Sequence, residues 1–186
     1  MKPPNNFWKC SVTALACICT STLDGQPVKS PPATPMHSDL TILQCGNLTY
    51  AGNQSSVCFS ENFLSEVAKQ TSLKVNKKFC PVRLDAYALF DYPFCVMSCN
   101  ESFTLTAKER QQIRKFLTQG GFLLVSPGCS DEAWDKAFRQ EMKVCFPEYP
   151  LKKIPMTHPI FSVVNQISQL TEKHGKPVYL EGLEIN

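Results

Sequence analysis

The chain is poor in several things that usually announce a chemistry. Of its 186 residues only three are histidine, and they are scattered. Its ten cysteines include no Cys-x-x-Cys pair. Zinc and thioredoxin-like redox sites are built on such close spacings, so no metal site is expected. No Gly-rich phosphate-cradling loop and no Gly-x-Ser-x-Gly elbow occur. Those absences argue against a phosphate-binding loop and a Ser-His-Asp hydrolase, and no cofactor is expected. Excess charge of one sign is also scarce. Lys and Arg number 19 against 16 Asp and Glu, for a net charge of +3. That is too little and too dispersed for a nucleic-acid or membrane surface. No apolar run reaches the roughly 20 residues that span a bilayer.

What is present describes one globular domain with a tail. Hydrophobic residues make up 43% and charged residues 19%, which excludes a disordered chain, a collagen-like repeat and a coiled coil. Met1 to Lys9 carries Lys2 and Lys9 and no acid, and residues 10–22 are uncharged. With the small-x-small site Ala14-Leu15-Ala16, this pattern predicts a secretory signal over residues 1–25 and an exported protein, periplasmic or extracellular. Two other readings stand beside it: a frayed helix of a cytosolic protein, and lipid attachment at Cys17 after Leu15-Ala16. Residues 26–39 hold Pro27, Pro31, Pro32 and Pro35 and few large apolar residues, which makes them a linker. The folded domain is expected over residues 40–186.

Beyond the signal, seven cysteines remain: Cys45, Cys58, Cys80, Cys95, Cys99, Cys129 and Cys145. An odd number leaves at least one thiol unpaired within the chain. Cys95 and Cys99 cannot pair with each other inside a strand. Four residues of strand span about 13 Å, and a disulfide tolerates Cα atoms only up to about 7 Å apart. Most of these cysteines read as small buried apolar residues.

Strands and helices alternate. Leu40 to Cys45 is a short apolar run suited to a buried strand, and residues 47–60 read as a loop. Glu61 to Thr71 places Phe63, Leu64, Val67 and Ala68 at helical spacing, with Ser60 as N-cap. A strand follows over Val75 to Val82. Pro93 to Cys99 is almost wholly apolar, as a strand covered on both faces must be. Thr106-Ala-Lys-Glu109 is a capping box, and its helix runs through Ile113, Phe116 and Leu117 to Gly120-Gly121. Phe122 to Ser126 is another strand. Pro127 to Ser130 turns the chain, and Asp131 to Phe146 forms a helix with Trp134, Phe138 and Met142 inward. Pro177 to Leu183 can add a strand. This order predicts an α/β domain, a three-layer sandwich around a mostly parallel sheet.

A series of residues then resembles a known family. It comprises Tyr92-Pro93-Phe94, Met97, Phe103, Leu105, Glu109, Leu117 and Gly120-Gly121-Phe122-Leu123. It continues with Phe138-Arg139, Phe146-Pro147, Ile154-Pro155, His158-Pro159-Ile160-Phe161 and Leu180-Glu181-Gly182. In order and spacing this resembles the bacterial family of uncharacterised domains numbered 4159, over about residues 40–186. Leu48-Thr49-Tyr50 fits that family's first strand. The resemblance implies a fold similar to class I glutamine amidotransferases, a flavodoxin-like sheet, and no established activity. The chain departs from the family at Ser126-Pro127-Gly128-Cys129, where an Asp-rich turn is usual. The family also continues past Glu181-Gly182 into a further strand, so the resemblance allows a sheet lacking its last strand.

Candidate chemistry gathers at that departing turn. In open α/β sheets, sites form beyond the carboxyl ends of the strands. Cys129 falls there, at a helix N-terminus whose dipole lowers a thiol pKa. His158 would be its base, making a cysteine-dependent hydrolase or amidotransferase-like enzyme. Against this, Ser130-Asp131 replaces the glycine flank of such nucleophiles, Asp131 and Glu132 oppose a thiolate, and His158 precedes a proline. The favoured expectation is therefore non-enzymatic: a domain that binds a partner protein or small ligand. Gly128, Ser130, Asp131 and the His158 loop would line the strand edge. The capping box accounts for Glu109, and Arg110, Arg114 and Lys115 read as a solvated basic face.

Overall fold

The computed structural model describes residues 42–52, 54–55, 61–171, 175 and 177–185, and only the backbone of Glu61 and Cys129. The expected signal (1–25), the linker (26–39), Cys17, Cys58 and the Ser60 cap lie outside the described residues. What is described is a mixed α/β domain whose sheet is mostly parallel.

The first strand, β1 (Cys45–Tyr50), starts where the expected Leu40–Cys45 strand was to end and runs through the stretch read as a loop. The correction follows from alternation. Leu48 and Tyr50 are two residues apart, so they face the same way, and both are buried. Upstream, Leu43 forms only an isolated parallel bridge to Val75. A short β2 (Gln54–Ser55) turns back antiparallel on the end of β1. Helix α1 (Glu61–Gln70) matches its expected span. β3 (Cys80–Arg83) begins later than Val75, after the Lys77-Lys78 break. It holds Pro81, which is tolerated because β3 is an edge strand pairing with β1 alone among the described strands. A 3₁₀ turn, Tyr87–Asp91, leads to β4 (Phe94–Met97). Helix α2 (Ala107–Thr118) leads to β5 (Phe122–Val125), and α3 (Glu132–Cys145) follows.

The parallel strands lie in the order β3-β1-β4-β5. Gly46 pairs with Cys80 on one side and Cys95 on the other, and Cys95 in turn pairs with Leu123. Thr49 pairs with Arg83 on one side and Ser55 on the other, so β2 continues the β4 side of β1.

Local signals set the ends of α2. Thr106 accepts from the Glu109 amide at 3.2 Å, and the Glu109 carboxylate accepts from the Thr106 amide at 2.7 Å. At the other end Gly121 donates to the Phe116 carbonyl and Gly120 to the Leu117 carbonyl, with Gly120 at φ 92°. That is a Schellman motif, which needs a left-handed residue there.

One face of the sheet carries Leu48, Tyr50, Cys95, Met97, Leu123 and Val125, packed with Ile113 and Phe116 of α2 and Trp134, Phe138 and Met142 of α3. Phe94 and Phe122 alternate with these and face the other way. There Phe63 of α1 stacks on Phe94, and Phe94 stacks on Phe122. A second small cluster, Ile154 and Phe161 with Leu170 and Leu180, packs on Phe122.

One further expectation is refined and one corrected. The strand expected within Pro177 to Leu183 is present, but it does not join the main sheet. Pro177 bridges Thr171, and β7 (Glu181–Gly182) pairs antiparallel with β6 (Lys152–Lys153). Arg139 of α3 draws the Glu181 side chain toward itself. Nor is the basic face of α2 simply solvated. Arg110 grips the buried Glu141 of α3 with two hydrogen bonds, at 2.7 and 2.9 Å. Arg114 donates to the Cys145 carbonyl and pairs with Glu148. Only Lys115 fits the expected solvated place, and its ammonium lies over the Phe90 ring.

Candidate functional site

The carboxyl ends of β1, β4 and β5 form one edge. The tips of β4 and β5 are laced together by main-chain bonds: Ser126 donates to the Met97 carbonyl at 3.2 Å and Gly128 to the Cys99 carbonyl at 2.8 Å. The contact is close enough to demand glycine. A Cβ on Gly128 would sit 2.7 Å from the Cys99 oxygen and would overlap the Asn100 side chain. The tip of β1 is held from α2. Besides its cap bond, the buried Glu109 carboxylate accepts from the Ala51 amide at 2.8 Å. Both its oxygens thus serve main-chain donors, one at a strand tip and one at a helix start. The capping motif in the sequence foretold only the second.

Each of the three tips carries a non-glycine residue with a left-handed backbone: Ala51 (φ 45°) after β1, Glu101 (φ 73°) after β4 and Ser130 (φ 61°) after β5. No other non-glycine residue among those described has a positive φ. Such a conformation costs an L-residue on the order of 1–2 kcal/mol. Ser98, just beyond the last residue of β4, is fully buried, and its hydroxyl has no partner among the described residues. None of Ala51, Ser98 or Glu101 is marked by a motif. Ala51 falls in the stretch 47–60 that the sequence pattern reads as a loop.

The residues singled out from the sequence are placed as follows. Gly128, Cys129 and Ser130 form a 3₁₀ turn at the tip of β5. Asp131 is the N-cap of α3, its carboxylate accepting from the Trp134 amide at 2.7 Å. With Glu132 and Asp135 in the first turn, that helix end is acidic, which disfavours a thiolate or a bound anion. His158 caps another 3₁₀ turn, Pro159–Phe161, and its Nδ1 accepts from the Ile160 amide at 3.2 Å. In the neutral ring that places the proton on Nε2. Phe161, in the His158 segment, belongs to the small cluster against which Phe122, the first residue of β5, packs. The Gly128 turn leaves from the last. The two therefore meet β5 at opposite ends.

Cys45, Cys80, Cys95, Cys99 and Cys145 are all free thiols. Burial pushes Cys45 and Cys145 up to about 11 and Cys95 up to about 12. They are protonated packing groups at neutral pH. Burial also raises Tyr50, whose hydroxyl accepts from the Trp134 indole at 2.7 Å. Among the described residues, no three His, Cys, Asp or Glu gather to hold a metal ion. No helix among them is long and apolar enough to cross a membrane.

In comparison with known families, the profile of a domain of unknown function, DUF4159, matches residues 44–182. No curated protein matches the chain.

Proposed function

The chain belongs to the DUF4159 family, and on that premise we propose that it is an exported, non-enzymatic domain that binds a small ligand or a partner protein at the carboxyl edge of its sheet. The order β3-β1-β4-β5, with the β2 hairpin set aside, supports reading the sheet as flavodoxin-like, as in class I glutamine amidotransferases. Helices on both faces would make three layers. In such sheets ligands sit beyond the strand ends where the order reverses, here between β1 and β4. The observation that carries the reading is the run of left-handed residues at three adjacent tips, Ala51, Glu101 and Ser130. Backbone strain of this kind collects at ligand-contacting loops, held by well-made surroundings. Here Glu109 and the Gly128 amide supply the hold. The basic start and uncharged stretch of residues 1–22 support export.

The test is amide chemical-shift mapping of the protein against a fragment library. Shifts concentrated at residues 51–52, 98–101 and 126–131 are expected. A map that leaves all three tips unmoved overturns the reading. Iodoacetamide labelling at neutral pH tests the enzymatic alternative. Fast modification of Cys129 that is lost in His158→Ala would replace binding with cysteine-dependent catalysis. Slow labelling at Cys129 is the expected result.

A further inference from the structure

A groove of about 480 Å³ opens between β6 and the paired stretches 168–171 and 177–179, away from the strand tips. That volume lies in the range that holds small organic ligands. Met156, Leu170, Val178 and Tyr179 give it a mainly apolar wall, and among the described residues Lys153 is the one charged residue lining it. The register of β6 and β7 puts Glu181 across from Lys153, the usual place for a neutralising carboxylate. Glu181 is taken instead by Arg139 of α3. The Lys153 ammonium lies over the Tyr179 ring, 5.0 Å from its centre, and pairs with no carboxylate among the described residues. A ring face leaves ammonium N–H donors unspent.

We propose that this groove binds a small organic acid with an aromatic or short alkyl body. The carboxylate meets Lys153, and the body lies against Met156, Leu170, Val178 and the Tyr179 ring. The charge decides the class. A neutral apolar ligand would leave the cation unused, and a cationic one would be repelled by it. The inference does not rest on the strand-tip reading, and either can fail alone.

The experiment titrates 1-naphthoate, and its uncharged counterpart 1-naphthamide, into the full chain by amide chemical shift. Naphthoate is expected to saturate one site, moving residues 153–156, 168–170 and 177–179. The amide should bind about fivefold more weakly, the scale of one partly screened ion pair. Lys153→Gln should lower naphthoate to the level of the amide and leave the amide unchanged. Ser168→Trp, at an exposed lining position, should block both ligands while the melting temperature holds. Absence of saturable naphthoate binding at these residues overturns the proposal, whether the groove rejects the acid or another part of the chain fills it. So does naphthoate affinity indifferent to Lys153→Gln.

Discussion

On one face of the sheet, directed polar bonds run through the packing; on the other, the described cover is mostly rings and aliphatic side chains. Behind α2 and α3, Trp134 stacks on Phe138, touches Phe103 and donates to the Tyr50 hydroxyl, while Arg110 and Glu141 tie the two helices together. On the α1 side, Phe63, Phe94 and Phe122 form a row of stacked rings, and Ile154 and Phe161 make a small cluster. One side-chain pair, Asn165 to Gln70, joins the segment after Phe161 to the end of α1. Val163, Val164 and Ile167 remain exposed there. Directed bonds fix a unique arrangement, whereas ring stacking and partial cover leave room to shift. Among the contacts described, the α2–α3 face carries the long-range directed bonds that help specify the fold, and the groove lies on the other side.

The sharpest way to break this contrast is to remove one large side chain from each face. Trp134→Ala should cost about 4 kcal/mol, the usual range for a fully buried aromatic, and it also strands the Tyr50 hydroxyl. Phe161→Ala, although Phe161 is just as buried, should cost about half as much globally, because its small cluster can open without unfolding the sheet. Urea unfolding gives the two losses, and hydrogen exchange gives their reach. Phe161→Ala should expose amides in 154–180 and leave α2 and α3 protected. Equal losses, or exposure spreading to α3, would mean that both faces form one cooperative unit.

The next contrast lies within the polar face. Arg110→Met leaves the Glu141 carboxylate buried and unpaired, a clear loss of stability in urea unfolding. Replacing both, Arg110→Met with Glu141→Leu, should recover most of it, since an apolar pair of similar volume is often as stable as a buried ion pair. If the double variant is no better than the single one, the pair contributes something that packing cannot replace.

How far these features were readable from the sequence depends on how local their causes are. The capping box and the Gly120-Gly121 stop are written in adjacent residues, and α2 came out as expected. The apolar strands at Phe94 and Phe122 were legible because both faces are covered. The first strand was missed by pattern. Asn47 and Thr49 look like loop residues, and only the alternation of Leu48 with Tyr50, or the family resemblance at Leu48-Thr49-Tyr50, marks it. Arg110 with Glu141, Glu109 with Ala51 and Trp134 with Tyr50 join residues at least 31 apart in the chain. No short spacing announces such partners. The same holds for the candidate site. Gly128 to Asp131 could be placed at a strand end from sequence, but not the left-handed residues on the two neighbouring tips.

A smaller effect comes from the thiols and tests whether the buried strand cysteines are as dry as their packing implies. Cys95 is held up to about 12 and Cys45 up to about 11 by burial. An unfolded thiol titrates near 8.5. Below that pH both states keep the proton, and the stability from these groups is fully present. Above it the unfolded chain releases protons that the folded chain retains, so stability falls as pH rises toward the folded values. The slope is roughly 1 kcal/mol per pH unit per thiol. Urea midpoints at pH 8.5 and 10 should therefore drop for the wild type, and the drop should be smaller for Cys95→Ala by one thiol's share. An identical drop in both would show that Cys95 ionises freely in the folded state.

The smallest expected change is also the most informative about the strand tips. Ser98 is buried just beyond β4 with no partner for its hydroxyl among the described residues, and burying such a group unpaired costs about 1–3 kcal/mol. Ser98→Ala removes the penalty along with one small atom's packing, so stability should stay level or rise by up to about 1 kcal/mol. A clear loss would mean that the hydroxyl already has a partner in the folded protein. The fragment shifts at residues 98–101 separate the remaining cases. If the variant gains stability and keeps those shifts, the hydroxyl is a passive defect of the fold. If it gains stability and loses them, the hydroxyl works against folding and for the ligand, which is the trade expected of a residue retained for binding.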